Sequence, residues 1–161
     1  MQKMMNKNDF IISKTDLKGR ITYGNETFIE MSGYSEKELL NAPQNILRHE
    51  DMPAVVFQLL WDRIKSGKTI NAYVKNKCKN GDFYLVFANV TASLDAKGNI
   101  IGYYSVRRKP KDNAFATIEK VYSELLIEEK NAGIKASKKL LDNILTDKGV
   151  SYDEFIISLQ K

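Results

Sequence analysis

From Ile70 to Arg107 apolar residues recur at every second position, and turn chemistry cuts the stretch twice. Ile70, Ala72, Val74 and Cys78 fall on one face of a strand, while Asn71, Lys75, Lys77 and Lys79 fall on the other. Asn80-Gly81 is the residue pair that favours a tight hairpin, because both positions tolerate positive φ. A long strand over 83–94 follows, then the turn Asp95-Ala96-Lys97-Gly98-Asn99, then a third strand over 100–107. Three consecutive antiparallel strands must bury at least one face, so the rest of the chain has to supply the cover.

The first half supplies two more strands and short helices. Residues 1–8 read as a frayed leader, and 10–23 reads as a hairpin around Asp16-Leu17-Lys18-Gly19. Asn25 is placed to cap a helix over 26–31 that Gly33 ends, and Ser35-Glu36-Lys37-Glu38 is a capping box. Beyond Pro53, Val56, Leu59, Leu60 and Ile64 predict a helix over 54–65. This order predicts an α+β fold, a five-stranded antiparallel sheet with helices packed on one face. From Pro110 three amphipathic segments follow, carrying Phe115, Ile118, Val121, Tyr122 and Leu125, then Leu141 and Ile144, then Phe155 and Ile156. They cannot form a core alone and must dock on the sheet, a second copy or another protein. The expected organisation is a sensory domain over 9–109 and a helical segment over 110–161 for docking, dimerisation or signal output.

Composition narrows the function classes. The single cysteine, Cys78, excludes an internal disulfide and a multi-cysteine metal site. No run reaches the roughly 18 apolar residues of a membrane span, and the N-terminus lacks a signal peptide, so a cytoplasmic location is expected. The net charge of +5 comes from scattered lysines, which suits an anionic or phosphate-bearing ligand better than nucleic acid. With one histidine and no phosphate loop, no catalytic set is evident, and the chain reads as a non-enzyme.

Asn76 falls in the register of Ile70, Ala72 and Val74, on the face that should pack against helices. A buried amide without a partner costs about 1–3 kcal/mol, so something must bond to it. The next strand turns Ala88 and Ala92 to the same side, and small residues beside a buried amide describe a cavity. Periodicity equally allows Asn76 to cap a loop in a filled core. On the opposite face Phe83, Leu85 and Phe87 are apolar, and Tyr73, Ile101 and Tyr103 are expected beside them. That face calls for a protein interface or a movable cover.

The element order resembles a PAS domain. The carrying residues are Asn25-Glu26-Thr27-Phe28, Ser32-Gly33-Tyr34, Arg48-His49-Glu50-Asp51-Met52-Pro53, Trp61, Val74-Lys75-Asn76, Asn80-Gly81-Asp82 and Gly102-Tyr103-Tyr104-Ser105-Val106-Arg107. Within that superfamily the Arg-His-x-Asp-Met-Pro run followed by Trp61 is similar to the FAD-binding PAS domains of bacterial aerotaxis receptors, with Glu50 where they usually have proline. Those receptors continue into membrane and signalling segments. This chain shows neither, and more closely resembles the detached PAS subunit of bipartite energy-taxis systems.

The resemblance implies FAD as cofactor, with haem or an empty pocket as alternatives. Trp61 would stack on or against the ring system, or else fill the core. Asn76 would bond the polar edge of the flavin. Arg48 and His49 would contact phosphate or ring, or else pair with Glu50 and Asp51. The alternative role of Asp51 is to cap the helix beyond Pro53. Asn25, Asn45 and Asn89 are further pocket candidates, and His49 would be the axial ligand were the cofactor haem. The flavin photoreceptors' reactive-cysteine motif is missing, since the corresponding region reads Asn45-Ile46-Leu47-Arg48. The implied function is redox or energy sensing. The implied partner is a membrane-bound chemotaxis transducer in trans that recruits the chain to the inner face of the membrane. A homodimer through the sheet face or the C-terminal helices is the other expected association.

Overall fold

Turn chemistry and period-two patterning give β1 (Ile11–Thr15), β2 (Ile21–Gly24), β3 (Ile70–Lys77), β4 (Phe83–Leu94) and β5 (Ile100–Arg108). In the computed structural model, which describes residues 1–161, they form one antiparallel sheet in the order β2-β1-β5-β4-β3. Three helices connect β2 to β3: α1 (Glu26–Ser32), α2 (Glu36–Leu39) and α3 (Ala54–Lys65), with a 3₁₀ turn at Gln44–Leu47 before α3. The tail forms α4 (Asp112–Ala132), α5 (Ile134–Lys148) and α6 (Tyr152–Gln160). Asn25 caps α1 by accepting from Phe28 N at 3.1 Å, and the Ser35–Glu38 capping box is formed.

β3 is an edge strand, and an open edge exposes unpaired backbone groups. The chain closes it from two directions. The loop before α3 brings Arg48 into a bridge with Asn76 and the Met52 Sδ to 3.3 Å from Lys75 N. The tail contributes the Tyr122 hydroxyl, which donates to Tyr73 O at 2.7 Å, and the Tyr152 hydroxyl, which donates to Asn71 O at 2.9 Å. Tyr73 itself is fully buried under α4 and α6, edge-on to Phe115, with its hydroxyl 3.2 Å from Ile156 O. The tail is therefore the cover of the outer face at β3 and Phe87, where an interface or movable cover was expected.

Three expectations are corrected. Tyr103 lies on the inner face, because a bulge opposite Ser93 and Leu94 pairs Ile100 with Leu94 but Tyr103 with Ala92. The bulge needs Gly102, where a Cβ would come within 2.4 Å of Thr15 O. Residues 1–8 are not frayed. Pairing of β5 with β4 stops at Phe87, and the leader occupies the vacant edge, with Lys3 N donating to Phe83 O at 2.7 Å and Met5 buried. Asp51 does not cap α3. Pro53 offers no capping side chain, and the Ala54 and Val55 N–H groups donate to the Glu129 carboxylate of α4 at 3.0 and 3.3 Å.

Two outcomes follow from these contacts. Glu129→Ala should cost about 0.5–2 kcal/mol, the worth of a helix cap, read by urea unfolding. Burial pushes the Tyr73 phenol up to about 12 from 10.0, so the folded state favours its neutral form. That contribution is complete below the unfolded value and is lost as pH rises from 10.0 toward about 12. Tail docking should weaken across this window, seen as loss of helical signal together with tyrosinate absorbance.

Candidate functional site

Between α3, the 3₁₀ turn and the inner face of the sheet lies a cavity of about 710 Å³, a size suited to a small-molecule ligand. It exists because the strands turn small residues inward at its centre. Ala88 and Ser105 face the space, and Ser13 stands opposite Ser105 across the β1–β5 ladder. Trp61, Leu60 and Phe57 of α3 form the opposite wall. Trp61 is edge-on to Tyr103 with ring centroids 5.4 Å apart. Gly19, at φ +82, fits against the indole, where a Cβ would sit 3.2 Å from the ring.

Four of the expected site residues line this cavity: Trp61, Asn76, Arg48 and Asn45. Asn76 is buried, and its neighbourhood is an open cavity where the alternative reading required a filled core. The Arg48 guanidinium lies 5.0 Å from the Phe57 ring centroid and donates to Met52 O at 3.3 Å.

The other four lie elsewhere. His49 sits outside the cavity, edge-on to Phe83, with its Nδ1 accepting from Asp51 N at 3.0 Å. The axial-ligand geometry that a haem would require of His49 is therefore missing. Asp51 pairs with Lys75 Nζ at 2.8 Å, and that hydrogen bond holds its carboxyl below the usual range. Asn25 is consumed by the backbone, since besides Phe28 N its Oδ1 accepts from Ile12 N and its amide donates to Phe10 O. Asn89 faces the outer side and bonds Asn71 Oδ1 at 3.0 Å.

Sequence reasoning missed Arg107, which is 4% exposed and lines the cavity. It donates to Ser13 Oγ at 2.5 Å, and its guanidinium stacks 4.8 Å from the Phe28 centroid. Its Nε has no partner, and the same is true of the buried Gln44 Oε1 at the cavity wall. Burial pushes the Arg107 guanidinium below its ordinary value and the Tyr84 phenol up to about 12. The available signal was register, because Arg107 pairs with the small inward residue Ala88. The whole lining contains four cationic side chains, Lys18, Arg48, Lys65 and Arg107, and no carboxylate. Such a site accepts an anionic ligand with acceptor atoms on its rim. Cys78 is buried away from it, its thiol pushed up by burial and donating to Met31 O.

Comparison with known proteins identifies the fold. Residues 1–108 match the PAS fold family. The aerotaxis receptor of Escherichia coli K12 is 39% identical over 139 residues, covering 86% of this chain and 26% of the receptor. A nitrogen fixation regulatory protein of Klebsiella pneumoniae is 29% identical over 105 residues, 65% of this chain and 21% of that protein. The chain thus spans about a quarter or less of the curated relatives it matches. Among solved structures, a light-oxygen-voltage domain studied with a flavin analogue aligns with a TM-score of 0.60 at 22% identity, over 69% of this chain and 85% of its own. The dark structure of the Aureochrome1 light-oxygen-voltage domain aligns with a TM-score of 0.56 at 25% identity, over 76% and 83%. With the family match running through residues 1–108 of 161 and the sheet built accordingly, this chain belongs to the PAS family.

Proposed function

We propose that this PAS domain is a flavin-binding redox sensor, with FAD as its cofactor and a membrane-bound chemotaxis transducer as its partner in trans. The observation that carries the reading is the carboxylate-free cavity with an unpartnered donor, Arg107 Nε, and an unpartnered acceptor, Gln44 Oε1, on its wall. Its apolar side at Phe57, Leu60 and Trp61 suits an aromatic ring system, and its polar side at Asn76, Gln44 and Arg107 suits a ring edge rich in hydrogen-bonding atoms. The aerotaxis receptor's likeness supports the choice of signal. A flavin supplies a ring whose charge and hydrogen-bonding pattern change with its redox state.

The residues supply the readout. Asn76 faces the cavity from β3, the strand whose edge is closed by the tail tyrosines. A change in hydrogen bonding at the Asn76 amide therefore reaches α4 and α6 through one strand, which gives the two redox states a differential contact with the output segment. Arg48 links the same strand to Phe57 of α3. No helix is long and apolar enough to cross a membrane, which suits a cytoplasmic sensor whose partner supplies the attachment.

The visible spectrum of the purified protein tests this directly. A flavin spectrum bleached by dithionite and restored by air, with FAD released on heating, is the expected result. A protein that stays colourless after incubation with FAD would reduce the chain to an interaction domain. Asn76→Leu should weaken flavin binding about tenfold, the equivalent of one lost hydrogen bond of about 1.4 kcal/mol. Gly19→Ala adds a methyl at positive φ against Trp61 and should lower flavin occupancy while leaving the far-ultraviolet circular dichroism unchanged.

A further inference from the structure

A guanidinium buried in a protein normally faces a carboxylate, because desolvating it alone costs several kcal/mol. Arg107 does not. From β1 it meets the Ser13 hydroxyl, from α1 the Phe28 ring and from β4 the neighbourhood of the Tyr84 phenol. The other charged groups on the cavity wall are Lys18, Arg48 and Lys65, all of the same sign. Its Nε is buried without a partner. Neither hydroxyl carries charge near neutral pH, so nothing within the fold neutralises Arg107. The missing counter-charge must come from whatever occupies the cavity.

We infer that Arg107 is the counter-ion of the cofactor, holding the negative charge that a flavin ring acquires on reduction. This deepens the flavin reading and rests on it. The balance is simple. Two electrons from an external donor such as dithionite and one proton, added at ring N5, leave a reduced ring with one net negative charge. That charge is delocalised over the N1–C2=O edge. In water a second proton joins at N1 when the solution is acid enough. Beside a fixed guanidinium the anion is favoured, and the second proton is taken up only at lower pH. Arg107 would thereby raise the reduction potential of the bound cofactor and keep the reduced state anionic. The sensor's two states would then differ by a full charge at the inner face of β5, and not merely by a hydrogen bond.

The test is the midpoint potential of the flavin-loaded protein as a function of pH, with free flavin measured in the same buffers. Each curve has a break where uptake changes from two protons per two electrons to one. The break in the wild-type protein is expected at lower pH than in free flavin. In Arg107→Gln it should move up by about one unit, a tenfold change in proton affinity. Arg107→Lys, which keeps the charge, should fall between the two. A wild-type protein that holds flavin but breaks at or above the pH of free flavin overturns the inference and leaves the flavin reading intact. So does an Arg107→Gln protein that retains flavin with an unmoved break. Should Arg107→Gln fail to fold or to hold flavin, the wild-type comparison decides alone. A wild-type protein that takes up no flavin at all removes both readings.

Discussion

The free edge of β3 is the constraint on which the rest of the structure depends. A strand at the end of a sheet leaves alternate N–H and C=O groups open, and here every closing group comes from a different part of the chain. Arg48 and Met52 approach from the loop ahead of α3, and Tyr122 and Tyr152 approach from the tail. The same strand turns Asn76 into the cavity. Cavity wall, helical layer and tail helices are therefore bolted to the eight residues of β3, and a displacement of that strand is felt by all three.

The helical layer is held a second time. Pro53 starts α3 with a fixed φ but no cap, which leaves the first N–H groups needing an acceptor. Glu129 meets that need from α4, and its negative charge is also favoured by the α3 dipole. At the other end of α3, Arg63 pairs with Asp153 of α6 at 2.8 Å. Both ends of the helix that carries Trp61 are thus tied to the tail, by contacts that span 75 and 90 residues of sequence. A cofactor touching Trp61 on one side and Asn76 on the other would sit between the two routes to α4 and α6.

The charge of the cavity lining is one-sided. Four cations and no carboxylate line it, and the one that is deeply buried, Arg107, has no counter-ion in the fold. Such a lining is electrostatically one-sided, since a desolvated guanidinium is stabilised only by an anion or by several acceptors. Of the scattered lysines only Lys18 and Lys65 reach this lining, and both are exposed. The net charge of +5 was compatible with an anionic partner or a phosphate-bearing ligand, but the one deeply buried cation of the cavity is a single arginine in a strand.

Strands, helices and turns were legible because each is set by short-range rules. Period-two alternation gave β3 and β4, Asn80-Gly81 their hairpin, and Pro53 with the helical spacing of Val56, Leu60 and Ile64 gave α3. The inward direction of Asn76 followed from the same parity, and parity failed at Tyr103 because a bulge inserts a residue that alternation does not announce. Which polar groups find partners was a different matter. Asn25 and Asn89 carry the same amide as Asn76, and His49 and Asp51 stand beside Arg48 in the chain, yet their bonds are already made by backbone or neighbouring side chains. The sequence by itself determined the secondary elements and, away from the bulge before Tyr103, the face each strand residue presents. Tertiary structure alone decided that Glu129 caps α3, that tyrosines of the tail close β3, and that Arg107 is left without a counter-charge. The reason is physical: periodicity acts over a few residues, whereas the satisfaction of a buried polar group depends on atoms brought together from segments distant in the chain.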